Sequence, residues 1–151
     1  KEDILGKVSR KIPSIMDYKL HIANGSMYNT PPVFAVYTSM LTLEWIKELG
    51  GISKIEELNE NKARLMYSEI DLNPLFKGYS IKEDRSFMNA TFTLQNENLK
   101  ETFETMLKEA GISGLNGHRS VGGYRASMYN ALPIDSVKAL VEVMSELESK
   151  A

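Results

Sequence analysis

Residues 86–94, SFMNATFTL, alternate in character along the chain. Met88, Ala90, Phe92 and Leu94 fall on one side of an extended backbone, and Phe87, Asn89, Thr91 and Thr93 on the other. Such a stretch is a half-buried strand. Residues 124–129 offer a second strand, with Arg125, Ser127 and Tyr129 on one face and Ala126 and Met128 on the other. Shorter strands are expected near Tyr79–Ile81 and within residues 112–117. Apolar strand faces must be covered, and stretches of helical spacing flank them. The expected fold is therefore α+β, with helices packed on one face of a small, mainly antiparallel sheet.

Four helices are expected. Thr30 and Pro31 suit the start of the first, as N-cap and first helical residue. Val33, Phe34, Tyr37, Met40, Leu41, Trp45 and Ile46 make it apolar over much of its circumference, so it is expected to be buried or to form an interface. Gly50-Gly51 stops it. Ser53–Glu56 matches a capping box and opens a helix to about Ile70, with Ile55, Leu58, Leu65 and Met66 inward. Glu56, Glu57, Glu60, Lys62 and Arg64 are expected on its solvated face. Asn96–Ala110 turns Leu99, Phe103, Met106 and Leu107 inward and stops at Gly111. Asp135 is expected to cap the last helix, whose stripe is Val137, Leu140, Val141, Met144 and Leu147. Residues 1–13 are a lead-in with one turn near Ile4 and Leu5, and residues 14–28 read as irregular with at most a short strand.

At 151 residues and 42% hydrophobic content, the chain can bury a core within a single domain. It has no cysteine, which removes disulfides and thiolate zinc sites. No apolar run approaches a membrane span. The first residues do not read as a signal peptide, and a chain opening without methionine suggests a fragment or a processed product. A net charge of −2 gives no basic surface for nucleic acid.

Against that charge, residues 118–130, HRSVGGYRASMYN, hold His118, Arg119 and Arg125 around Gly122-Gly123, and no acid lies between Glu109 and Asp135. Guanidinium forks bind carboxylate and phosphate in bidentate fashion, and a double glycine lets backbone approach a ligand. This reads as a pocket wall for a small molecule with two anionic groups, Arg125 clamping a carboxylate and His118 and Arg119 taking a second anion. The competing reading is that the arginines cover surface and pair with remote acids. Asn29 and Thr30 form a second, weaker candidate: no acid lies between Asp17 and Glu44, and a helix starts there. Two prolines remove first-turn donors, so an anion would rely on the Asn29 and Thr30 side chains or their own amides. Histidines 21 and 118 form no metal motif with nearby acids, no nucleophile–histidine pair is evident, and no phosphate-binding fingerprint occurs. The residues by themselves reach a binding surface and stop short of a reaction.

HRSVGGYRAS, taken with SMYNTPP upstream, resembles the phosphoserine aminotransferase family, class V aminotransferases of PLP fold type I. PSIMDY, NGSMYNTPPVFAVY, LEWIKELGG, DRSFMN, GHRSVGGYRASMYNA and the closing helix follow the family's order across essentially the whole chain. The resemblance implies the small C-terminal domain of the aspartate-aminotransferase-like fold in residues 51–151. Residues 1–50 would then supply a lead-in, a cofactor-phosphate loop and an interface helix. It implies pyridoxal 5'-phosphate as cofactor and reversible transamination of glutamate and 3-phosphohydroxypyruvate to 2-oxoglutarate and O-phosphoserine, in serine biosynthesis. Some bacterial members also serve pyridoxine biosynthesis.

By that likeness Arg125 holds the substrate α-carboxylate. His118 and Arg119 bind the substrate phosphate or glutamate's distal carboxylate. Asn29 and Thr30 reach the cofactor phosphate of a neighbouring subunit in a cytoplasmic homodimer. Family members are more than twice as long, and their cofactor-bearing lysine lies upstream of the part matching Lys1, on the large domain. Lys1, Lys7, Lys11 and Lys19 do not sit in that lysine's motif. This chain by itself is thus expected to be inactive, with no catalytic residue of its own and no metal site. The alternatives are a non-catalytic anion-binding or interaction module of the same fold, and another aminotransferase of that fold.

Overall fold

The alternating stretch expected over residues 86–94 forms, from Asn89 to Leu94, the middle strand of a three-stranded antiparallel sheet. A computed structural model describes residues 2–151; Lys1, at the head of the lead-in, lies outside the described residues. The chain divides into two compact units, residues 1–45 and 46–151.

In the second unit the elements run α3 (Ile52–Leu72), β1 (Phe76–Gly78), β2 (Asn89–Leu94), α4 (Lys100–Glu109), β3 (Tyr124–Ser127) and α5 (Ile134–Lys150). The sheet order is β1-β2-β3. Register pairs Phe76 with Leu94, Ala90 with Ala126, and Phe92 with Tyr124. Because strand side chains alternate, that register puts Phe76, Ala90, Phe92, Leu94, Tyr124 and Ala126 on one face, and all are buried. Met66 and Ile70 of α3, Phe103 and Leu107 of α4, and Leu140, Met144 and Leu147 of α5 close over them in one core cluster. Phe76, Phe92, Phe103 and Tyr124 form its aromatic centre, with ring centroids 5.1–5.7 Å apart. Each such pair adds about 0.5–1.5 kcal/mol beyond area burial. The expected α+β architecture is the one observed.

Several local expectations are corrected. Residues 112–117 form no strand; they make a single bridge, Asn116 to Tyr124. Gly114, at φ 77°, breaks the extended run. The strand expected at Tyr79–Ile81 lies instead at Phe76–Gly78, because Phe76 is the side chain that enters the core, while Tyr79 and Ile81 stay exposed. The capping box is not formed: α3 starts at Ile52 with Gly51 at its N-cap and no side-chain cap. Gly51, at φ 82°, ends one helix and begins the next, which leaves Ser53 inside the first turn. Likewise α5 starts at Ile134 behind Pro133, and Asp135 sits in the first turn, where its carboxylate pairs with Lys138 at 2.8 Å.

The largest correction is Lys62. Glu56, Glu57, Glu60 and Arg64 face solvent, but Lys62 is 1% exposed. The buried positions of α3 are Ile55, Asn59, Lys62, Ala63, Met66 and Ile70. Their spacing is one helical stripe, and Lys62 falls on it.

In the first unit, residues 14–28 are helical rather than irregular or extended. A 3-10 turn at Ser14–Met16 leads to α1 (Tyr18–Ala23). The Asp17 carboxylate accepts from Lys19 N at 3.0 Å and so caps α1, and the turn at Asn24-Gly25 ends it, with Gly25 at φ 55°. The next helix, α2, spans Val33–Glu48, across the division between the units. It begins two residues after Pro31, its first helical bond running from Val36 N to Pro32 O. None of its residues is buried among the described residues, and Phe34 is 81% exposed.

Candidate functional site

The loop between α4 and β3 is built by close backbone approach. Gly117 N donates to Gly123 O at 2.9 Å, and a Cβ on Gly117 would run into Gly122 O. His118 O accepts from Val121 N at 2.9 Å and Gly122 N at 2.8 Å. Gly122 and Gly123 have φ of 74° and 65°. The double glycine is therefore a turn requirement, and Gly117 is a third glycine required for packing.

This turn exposes His118 and Arg119 on a cleft of about 510 Å³. Ser120 N donates to His118 Nδ1 at 3.3 Å, and Ser120 Oγ lies 2.7 Å from the same nitrogen. A backbone N–H can only donate, so Nδ1 accepts and the neutral ring carries its proton on Nε2. That leaves an N–H donor for an anion. Arg119 takes part in no ion pair among the described residues.

The fold also brings acids to this cleft. Glu97, Lys100 and Glu104 line it, as does Tyr124. The acid-free stretch in sequence is thus not an acid-free site in space, and the cleft is of mixed charge. The Tyr124 hydroxyl is buried with no hydrogen-bond partner among the described residues. Burial pushes this phenol above its ordinary value, and the nearby Glu104 and Glu97 push it the same way.

Arg125 occupies the other face of β3, opposite Thr91 in register, with its N–H donating to Leu115 O at 2.6 Å. Its exposed side chain lines a second cleft of about 380 Å³, with Ser113, Gly114, Ser127, Met128 and Leu132 on the same lining. Arg125 also lacks an ion-pair partner among the described residues. The structure thus distributes the expected cations over two clefts: His118 and Arg119 together, Arg125 on its own. Arg85 provides the contrast. Its two amino nitrogens donate to the Asp71 carboxylate at 2.8 and 2.6 Å, and it stacks on Tyr67 at 4.5 Å. Arg85 thus has a carboxylate partner, whereas Arg119 and Arg125, like the solvent-facing Arg64, have none among the described residues.

Asn29 and Thr30 belong to the first unit. Both are exposed, and neither side chain hydrogen-bonds among the described residues, so amide and hydroxyl remain available. His21 instead serves packing: its Nε2 lies 2.8 Å from Ile15 O, and its ring meets Tyr28 edge-on at 5.6 Å. Gly117, Tyr124, Glu97 and Glu104 escaped the sequence reading. Gly117 and Tyr124 lie in or beside the cationic stretch without a charge to mark them; Glu97 and Glu104 become neighbours only through tertiary packing.

The sequence model of the family Aminotransferase class-V matches residues 5–140. The curated phosphoserine aminotransferase of Flavobacterium psychrophilum is 66% identical over 150 residues, covering 99% of this chain and 42% of the relative. That of Flavobacterium johnsoniae is 65% identical with the same coverage. A solved structure concerned with radiation damage of the Schiff base in phosphoserine aminotransferase superposes with a TM-score of 0.85 at 47% identity, over 100% of this chain and 42% of that one. The pyridoxal-phosphate-bound phosphoserine aminotransferase of Trichomonas vaginalis gives a TM-score of 0.77 at 39% identity, over 91% of this chain and 40% of that one. The chain spans 42% of the length of the curated relatives it matches.

Proposed function

The chain belongs to the class-V aminotransferase family, and we propose that it is the carboxy-terminal part of a phosphoserine aminotransferase, supplying the substrate's anion contacts. The observation that carries this reading is that His118, Arg119 and Arg125 are exposed on cleft linings and take part in no ion pair among the described residues. A transaminase passes two substrates in turn through one site. Glutamate and 2-oxoglutarate carry two carboxylates; O-phosphoserine and 3-phosphohydroxypyruvate carry a carboxylate and a phosphate. A fixed carboxylate clamp at Arg125 plus a more general anion receptor at His118 and Arg119 suits both pairs. Guanidinium forks match either oxyanion, and the Nε2–H of His118 adds a directional donor.

Pyridoxal phosphate, when bound, supplies the electron-withdrawing ring on which amino-group transfer depends. The exposed, unpaired side chains of Asn29 and Thr30 fit its phosphate, and they would serve a neighbouring subunit in a homodimer. By the family likeness, the lysine that would carry the cofactor would lie outside the 42% of the relatives that this chain matches. A role in serine biosynthesis and a cytoplasmic location form part of the proposal; among the described residues no helix is long and apolar enough to cross a membrane.

Substitution in the full-length holoenzyme separates the two subsites. Arg125→Ala removes the shared carboxylate clamp and lowers kcat/KM for all four substrates by about 30-fold or more, the cost of a charge-assisted pair being roughly 2–5 kcal/mol. Arg119→Ala spares the α-carboxylate and acts through the distal group. An Arg125→Ala enzyme with unchanged kcat/KM removes the carboxylate role. Equal performance on substrates lacking a second anion points instead to another aminotransferase of this fold.

A further inference from the structure

Lys62 is a buried ammonium with no carboxylate beside it. It lies on the inner stripe of α3, 1% exposed, and takes part in none of the ion pairs among the described residues. Its Nζ donates instead to three backbone carbonyls, Met128 O at 3.0 Å, Tyr129 O at 2.8 Å and Leu132 O at 3.2 Å. An ammonium has three protons to give, and these three acceptors use them all. The arrangement is costly: an isolated buried charge loses its hydration, and carbonyl dipoles return only part of it. Apolar burial would serve a merely structural stripe better, as it does at Ala63, Met66 and Ile70.

The acceptors explain what the lysine holds. Met128 and Leu132 line the Arg125 cleft, and they bracket the turn through which the chain leaves β3 for α5. Lys62 grips that turn at both ends from the α3 side. A neighbouring tie repeats the connection: Asn59 Nδ2, one turn earlier on α3, donates to Asn130 Oδ1 at 2.8 Å. Edge strand β3 pairs with β2 on one side, but the turn after it has no such ladder. The backbone bonds of this far wall of the cleft are few, Met128 N donating to Met88 O at 2.7 Å and Leu132 N to Tyr129 O at 2.9 Å, so Lys62 and Asn59 supply its side-chain ties to α3. An unneutralised cation behind that wall also adds favourable potential for an anion in front of it.

We infer that Lys62 is a positioning residue for the Arg125 carboxylate subsite, holding the Met128–Leu132 wall through its three carbonyls and contributing uncompensated positive charge behind it. This rests on the carboxylate role proposed above for Arg125. Lys62 touches no substrate in this scheme and acts only through the wall.

The test uses the full-length holoenzyme and succinate, an unreactive dicarboxylate, with Kd measured by calorimetry. Lys62→Met, which keeps the stem and removes charge and donors, raises Kd about fivefold or more and raises KM for 2-oxoglutarate more than it lowers kcat. Lys62→Arg, keeping charge and donors, stays nearer to wild type than Lys62→Met does. Phe103→Leu, a core change on α4, lowers thermal stability and leaves Kd unchanged, which separates positioning from plain destabilisation. An unchanged Kd in Lys62→Met, or the same rise in Phe103→Leu, overturns the inference. Should Lys62→Met fail to fold, amide exchange in the wild-type enzyme decides. Succinate slows exchange across residues 129–132 if the wall and the subsite are coupled, and unaltered exchange there counts against it. Arg125→Ala run in parallel isolates the underlying reading. If that variant binds succinate normally the carboxylate site itself is misassigned, whereas if it loses binding and Lys62→Met does not, only the Lys62 inference falls.

Discussion

Gly122 and Gly123 both adopt positive φ, at 74° and 65°, yet their surroundings differ. A Cβ on Gly122 would meet nothing within 4 Å, whereas on Gly123 it would lie 2.7 Å from Phe92 O. Alanine at either position pays for the left-handed backbone, about 1–2 kcal/mol. Only Gly123→Ala adds a clash, and it is with a backbone carbonyl of the central strand, whose Phe92 is paired in register with Tyr124. That oxygen cannot move without disturbing the ladder, so the overpacking adds a further 1–3 kcal/mol or so. Gly123→Ala is therefore expected to be less stable than Gly122→Ala by about 1–3 kcal/mol. Urea unfolding followed by circular dichroism measures the difference at unchanged slope. The damage should extend to function, because β3 and the His118–Arg119 turn share this junction. Phosphate titration should show weaker binding in Gly123→Ala than in Gly122→Ala. Two variants of equal stability, within about 0.5 kcal/mol, would refute the claim that the second glycine is required by close approach to β2.

Two other sites give independent checks. The hydrogen bonds from Arg85 hold the Asp71 carboxyl below its ordinary value. Asp71 therefore contributes stability that is fully present above the usual aspartate value of about 3.9 and is lost as pH falls through the lowered one. Asp71→Asn should cost about 1–2 kcal/mol at neutral pH and flatten the acid limb of the stability profile, while an acid limb identical to wild type would deny the pair that role. Tyr124→Phe removes a buried hydroxyl with no partner, so thermal melting should show stability held or raised by up to about 1 kcal/mol; a loss larger than that would mean the hydroxyl has a partner the geometry does not reveal.

The sheet and core were legible wherever a period was carried by several residues. Ala90, Phe92 and Leu94 announce the inner face of β2, which begins only at Asn89, and the stripes of α4 and α5 repeat the helical spacing. Boundaries were less legible, because backbone decided them: Gly51 displaced the capping box, and Pro133 the Asp135 cap. Lys62 reads as solvent-facing by residue type, whereas its position on the helix puts it on the buried stripe. Its place between Asn59 and Met66 on the buried stripe was visible, but the acceptors that satisfy it lie 66–70 residues away. The cationic stretch at 118–125 was legible as local chemistry. Its division into two clefts was not, since consecutive strand positions face opposite ways and the acids that join it, Glu97 and Glu104, come from before β3. Asn29 and Thr30 are legible as a weak candidate from the acid-free stretch and the helix start, and the family likeness alone attaches them to a cofactor phosphate.

The most direct measurement compares the protein from the complete reading frame with this 151-residue chain. Each is given pyridoxal phosphate, glutamate and 3-phosphohydroxypyruvate, and O-phosphoserine is quantified by mass spectrometry. Turnover is expected from the complete protein and none from the chain alone. O-Phosphoserine formed by the chain alone above the enzyme-free control, or none formed by the complete protein, would contradict that expectation.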